Sequence, residues 1–257
     1  MTYIGAKDYN LEVRLGNVPG VTTATIAGHD DTVPNGGPFG LSDGFGGAGY
    51  QFNQSAIAAT PAVLTVSSTD NTDDNVAGAG ALTVRVTGLD ASGDLQTEDV
   101  TMTGTTGVNT VATFSAYLSH QVLTTGANNV NAGRIWVGTG TVTAGIPAVR
   151  MGTIRAGDNL SRSGYYVVPN AKQLVLTHFV SSIASQGTKD GIIYLSYSAD
   201  GILWYVLAEF DLRAFVMDPE VFSVPPFVAG THIQLTAAST AASTPVTCFV
   251  EGYLVDV

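Results

Sequence analysis

Four carboxylates fall within ten residues of one another in the stretch LTVRVTGLDASGDLQTEDV, residues 82 to 100: Asp90, Asp94, Glu98 and Asp99. Acids this close could act as general acid and base or share a cation. They also suit a turn, because Asp90 and Asp94 flank Ser92-Gly93, where a short acidic side chain accepts backbone N–H bonds. As a hairpin, the stretch puts Val84 and Val86 on one side and Thr83, Arg85 and Thr87 on the other. Val100 and Met102 are in phase with Glu98, so either Glu98 sits at the rim of a core or a bulge near Glu98 and Asp99 resets the register. Arg85 is placed to pair across the strands with Glu98 or Asp99. Turn chemistry accounts for these acids without a reaction.

The other chemistry-bearing residues are sparser. STDNTDDN, residues 68 to 75, gathers Asp70, Asp73 and Asp74 with asparagines. Such a loop supplies several of the oxygens calcium needs, but the order of an EF-hand is missing, so a polar strand-to-strand loop is expected. His29 precedes Asp30 and Asp31 without a second histidine at metal-ligand spacing. His120, His178 and His232 are scattered, and His178 and His232 lie in strand-like runs, so packed or rim histidines are expected. No G-x-S-x-G elbow accompanies them. The glycines from Gly78 to Gly80 lead into neither a helix nor a lysine, which excludes a phosphate loop. Trp136, Trp204, Tyr197 and Tyr205 would suit a sugar-stacking platform, or, for the two tyrosines, a cross-strand pair. The lone Cys248 sits in PVTCFVEGYLV as a small apolar residue. No catalytic residue, metal or cofactor is expected.

What would position these residues is a chain of 257 residues, 45% apolar and 12% charged, with 30 glycines. The charged share is about half the usual one, so the polar surface must come from Thr, Ser, Asn and Gly, which favours strands and turns over helices. Residues 1 to 60 show no sustained period. Aromatic and apolar residues (Phe39, Leu41, Phe45, Tyr50, Phe52) are spaced through glycines there, the pattern of an extended arm laid on another surface, with a long loop of its own domain as the alternative. From 61 the runs AVLTVSS, ALTVRVTGL, EDVTMTG, VATFSAYLS and RIWVGTG alternate as antiparallel strands with one buried face. Residues 145 to 164 lose the alternation, and a domain junction is placed inside them. Beyond it, GIIYLSYSADGILWYVLAEF reads as two strands joined by a two-residue type I′ turn at Asp200-Gly201. The expected architecture is all-β: an N-terminal arm (1–60), a β-sandwich domain (61–155) and a jelly-roll-like β-sandwich domain (156–257).

The net charge of −11 is spread evenly, with six basic and twelve acidic residues in 1–155 and four and nine in 156–257. No basic stripe exists to hold phosphates, so neither nucleic acid nor an anionic membrane is expected as a partner. The N-terminus carries charges where a signal peptide needs an apolar core, and one cysteine permits no internal disulfide, so a protein assembled in a reducing cytoplasm is expected.

Four segments carry a resemblance: AGAGALTVRVTGLDASGDLQTEDVTMTGTTGV, YLSHQVLTTGANNVNAGRIWVGTG, YYVVPNAKQLVLTHFVSSI and VPPFVAGTHIQL. With the N-terminal YIGAKDYNLEVRLGNVPGV, they resemble a family of virion structural proteins of tailed bacteriophages, many of them marine or cyanobacterial. The resemblance runs over most of the chain. It implies a non-enzymatic virion component, assembled in the host bacterial cytoplasm and partnered by other copies of itself, as a homotrimer, and by major capsid or neck and tail proteins. With an arm for attachment, a capsid decoration or cement protein is the first expectation. A neck, tail or fibre component is the second, and a carbohydrate-binding receptor module is the rival from another class.

Overall fold

Short β-branched runs punctuated by Gly, Asn and Asp leave the backbone little alternative to strands. Strands dominate the structure, a computed structural model that describes residues 9–42, 60–183, 190–213, 225–241 and 244–257. The described elements are one short helix, α1 (Tyr9–Arg14), and fifteen strands. Nine come first: β1 (Val21–Val33), β2 (Gly36–Gly40), β3 (Ala62–Ser68), β4 (Ala81–Leu89), β5 (Leu95–Thr101), β6 (Val108–Phe114), β7 (Ala116–Thr125), β8 (Ile135–Thr143) and β9 (Ile146–Ile154). The remaining six are β10 (Tyr165–Val167), β11 (Lys172–Ile183), β12 (Asp190–Ser198), β13 (Tyr205–Arg213), β14 (His232–Ser239) and β15 (Thr244–Asp256).

Strands β3 to β9 form two antiparallel sheets, ordered β6-β3-β8-β9 and β5-β4-β7. Leu64, Val84, Phe114, Tyr117, Ile135 and Met151 fill the space between them. The run VATFSAYLS is two strands, not one. The chain leaves β6 at Ser115 and enters β7 in the other sheet, held at the corner by Ser115 N–H on the Leu89 carbonyl at 2.8 Å.

The β4–β5 register runs unbroken from Thr83↔Thr101 to Leu89↔Leu95, so the bulge alternative falls away and Glu98 is the rim residue. Opposite the buried Val86, its carboxylate reaches across to β6 and accepts from Val111 N–H at 2.7 Å and Ala112 N–H at 2.8 Å. An acid in phase with the core is tolerated at an edge because two backbone donors satisfy it.

The second pair of sheets is ordered β1-β15-β11 and β10-β14-β12-β13. β1 pairs with β15 from Val21↔Val255 to Val33↔Thr244, and Ala24, Ile26 and Val33 enter the same core as Leu174, Phe179 and Val250. This corrects the expected arm over 1–60: residues 21–42 belong to the C-terminal sandwich. Small residues and threonines (VTTATIAG) made that strand's alternation faint, and its partner lies more than 200 residues away. The glycines after it serve close approach. A Cβ on Gly37, at φ +126°, would meet the Ala237 carbonyl and Ala238 at 2.9 Å, so only glycine lets β2 lie against β14.

The junction is narrower than 145–164, because 146–154 is β9. Residues 155–164 instead run along β7, where Leu160 bridges Gln121 and Ser161 N–H donates to the His120 carbonyl at 3.0 Å. A separate apolar cluster spans the two sandwiches, with Leu89, Ala116 and Leu118 against Tyr165 and Val167.

Candidate functional site

In the hairpin tip, the Asp90 carboxylate accepts Ser92 N–H at 2.7 Å and Asp94 N–H at 3.0 Å, and Gly93 takes φ +81°. The tip is fastened to the second sandwich by Asn170 N–H on the Gly93 carbonyl at 2.7 Å. Arg85 and Asp99 face each other in register and form a two-pronged ion pair of 2.7 and 2.9 Å, which holds the Asp99 carboxyl below its ordinary range. The carboxylates of Asp90, Glu98 and Asp99 thus hold backbone N–H groups or a cross-strand partner.

The aspartate loop divides its labour. Asp70 caps Thr72, whose N–H and hydroxyl both donate to it at 2.8 Å and lower its pKa. Asp74 accepts Val76 N–H at 2.6 Å. Asp73 is fully buried. Its Oδ1 accepts Ala81 N–H at 2.7 Å and Ala132 N–H at 2.8 Å, and its Oδ2 accepts Gly133 N–H at 2.8 Å and the Ser68 hydroxyl at 2.5 Å. Four protein donors fill the positions a cation would take, so this carboxylate ties the ends of β3, β4 and the loop before β8 together. Among the described residues, no three or more His, Cys, Asp or Glu side chains are grouped to hold a metal ion.

The GHDD segment sits at the junction. His29 Nε2 lies 2.8 Å from the Asp31 carboxylate and 3.3 Å from Arg155 Nη1, and its Nδ1 lies 2.6 Å from the Thr247 hydroxyl. Arg155, just past β9, pairs with the same Asp31 at 2.8 Å and links the two sandwiches. Asp30 is buried, which raises its carboxyl pKa against the lowering effect of the Thr32 N–H and hydroxyl bonds.

His120 is enclosed in the first core. Its Nε2 faces the Ile135 carbonyl at 3.4 Å and its Nδ1 accepts the Tyr117 hydroxyl at 2.7 Å. Burial drives its pKa down to about 3, so the ring is neutral. His178 lies half-buried at a bulge in β11. His232 stands across from Ser198, with Asp200 near, a trio sequence spacing did not bring together. It is no nucleophile–base pair. Ser198 donates its hydroxyl to Asp200 at 2.9 Å, and His232 Nδ1 accepts the Tyr165 hydroxyl. Burial lowers the His232 pKa, opposed by the Asp200 charge.

Asp200 accepts Ile202 N–H at 2.8 Å and Leu203 N–H at 2.9 Å, which stretches the expected two-residue turn into a longer loop closed by the Tyr197↔Tyr205 pair. Those tyrosines stack at 5.5 Å, as cross-strand partners should. Trp136 is buried beneath the Arg134 and Arg150 guanidinium groups at 5.7 and 5.5 Å from its ring, so it offers no open stacking face.

Two clefts remain. One of about 390 Å³ lies under the hairpin tip, lined by Ser92, Ser115, Asn170 and His232 among small apolar residues. The other, about 450 Å³, lies beside Asp190, Asp211, Ser239 and Gly37.

Of the residues expected to grip a partner, Leu41 is fully buried and Phe39 packs against the same C-terminal core. Neither is presented outward as a grip requires. Phe45, Tyr50 and Phe52 lie outside the described residues.

No protein-family model matches the chain, and no curated protein matches it. Among solved structures there is a similarity to the structure of the infectious bursal disease virus Gt strain at 11% identity, covering 97% of this chain and 83% of that chain, with a TM-score of 0.22, too low to carry an argument.

Proposed function

We propose that the chain is a non-enzymatic structural protein of a bacteriophage virion, an exterior component that self-associates as a trimer through its β domains. The observation that supports this most is how the polar clusters are spent. Asp73, Glu98, Asp90 and Asp200 turn their carboxylates onto backbone donors, and His120 is locked neutral in a core. Groups so engaged rigidify a scaffold and leave no poised acid, base or nucleophile among them. The strand-and-turn resemblance to phage virion proteins supports the assignment to a particle. Threonine, serine and asparagine surfaces can be buried between subunits without the several kcal/mol that each unpaired charge costs. Attachment by an arm is proposed only for parts of 1–60 outside residues 21–42, with Phe45, Tyr50 and Phe52 as contacts.

Quantitative mass spectrometry of purified particles tests the reading. Hundreds of copies per particle place the chain on the capsid lattice, and a dozen or fewer place it at the neck or tail. Its absence from particles overturns the proposal. A carbohydrate-binding role is favoured by one observation, the half-exposed Tyr205 beside Trp204, and a flat glycan screen would dispose of it.

A further inference from the structure

We propose that the cleft of about 390 Å³ between the two sandwiches is a binding site for a small neutral saccharide. The inference depends neither on the virion reading nor on the Tyr205 face. The first sandwich supplies one wall, from the β4–β5 tip and the corner at Ser115, and the second supplies the other, from the end of β10, Asn170, Gly230 and His232. Every lining residue is among the described ones, and none of them is an acid, a lysine or an arginine. The volume lies within the range of small-molecule sites, and places where domains meet are common positions for them.

The lining selects the ligand. In a chain of net charge −11 an acidic ligand is repelled, and a cation finds no carboxylate on these walls. What the walls offer is hydrogen bonding left over by the fold. Ser92 bonds through its N–H, to Asp90, and its hydroxyl is unspent among the described residues. Asn170 Oδ1 accepts Ala171 N–H at 3.0 Å, which leaves the amide Nδ2 to donate. The Ser115 hydroxyl donates to the Asp90 carbonyl and keeps its lone pairs as acceptors. His232 is 8% exposed, and with Nδ1 against the Tyr165 hydroxyl its Nε2 is the ring's remaining polar atom. Donors and acceptors mixed in this way match sugar hydroxyls, each of which does both. Ala91, Ala116, Val167 and Ala229 lie between them and give apolar patches on which the C–H face of a sugar ring packs.

Amide NMR titration of the full chain with the methyl glycosides of glucose, galactose, mannose and N-acetylglucosamine tests this, with glucuronate and glucosamine as charged counterparts. At least one neutral glycoside is expected to give saturable shifts at amides of both walls, Gly93 and Gly230 among them, with half-saturation in the millimolar range. Ser92→Ala should weaken that binding about fivefold, the worth of one hydrogen bond. Ala229→Trp, a change at an exposed position, should fill the cleft and abolish binding while the rest of the spectrum stays that of the folded chain. Tyr205→Ala should leave the affinity unchanged. No saturable shift at either wall, undiminished binding after Ala229→Trp, a charged sugar bound more tightly than the neutral ones, or shifts centred on Tyr205 would each overturn the proposal.

Discussion

The two sandwiches share a plan of one four-stranded and one three-stranded sheet, yet they close in opposite ways. The first draws all seven strands from residues 62–154 and is pinned by a buried carboxylate, with Asp73 reaching donors eight and about sixty residues along the chain. The second closes only when both ends of the chain meet. β15 lies between β11 and β1, and β1 precedes the whole first sandwich. One domain is therefore specified locally and the other by a pairing of high sequence separation, which is slow to form. That pairing also makes the first sandwich an insert within the second, with the Arg155–Asp31 pair and the Leu89–Tyr165 cluster as the seam.

Removing residues 1–33 should have the largest effect, and on the second sandwich alone. Without Ala24, Ile26 and Val33 the C-terminal core loses one wall and β15 an edge, so hydrogen exchange should show 165–257 unprotected while Val84 and Val86 stay protected. Loss of protection in both regions at once would mean that the first sandwich does not stand alone.

Asp73→Ala should strike the other side. Three buried N–H groups and a serine hydroxyl lose their acceptor, a cost of about 3–5 kcal/mol in urea unfolding, with Asp73→Asn recovering part of it. Exchange should rise at Ala81, Ala132 and Gly133 before it rises anywhere in β15.

Acid should also weaken the first sandwich through His120. Its folded pKa, about 3, lies below the ordinary 6.5, so the unfolded chain binds the proton first. The stability it contributes is complete above about pH 6.5 and is lost as pH falls toward 3, at up to about 1.4 kcal/mol per pH unit. His120→Gln should flatten that slope, which pH-dependent urea midpoints would register. The smallest effect belongs to Arg85→Ala. Its ion pair with Asp99 is solvent-exposed, so the thermal midpoint should barely move, and less so at high salt.

The legible parts of this fold are those whose signal is local. Alternation placed β3, β4, β8 and β12, and spacing offered Asp99 beside Glu98 as the partner of Arg85 and a cross-strand pair beside a stacking platform for Tyr197 and Tyr205; the structure selects Asp99 and the tyrosine pair. The β1 strand escaped because threonine, alanine and glycine give little hydropathy contrast, although Ala24 and Ile26 keep the period of two. The role of Asp73 escaped for a different reason. Its loop looks like a set of cation ligands, and only the arrival of Ala132 and Gly133 from far along the chain fills the carboxylate with protein donors. At Asp200-Gly201 the turn dipeptide was real, since Gly201 takes φ +71°, but the Asp200 carboxylate captured two further N–H groups and lengthened the loop.

The proposed role makes these sandwiches building material for a particle. Electron microscopy of the phage particle tests it most directly. Density for paired seven-stranded sandwiches is expected at symmetry-related positions on the particle exterior, with neighbouring copies in contact. Particles that lack this density, together with a purified chain that sediments as a monomer, would contradict it.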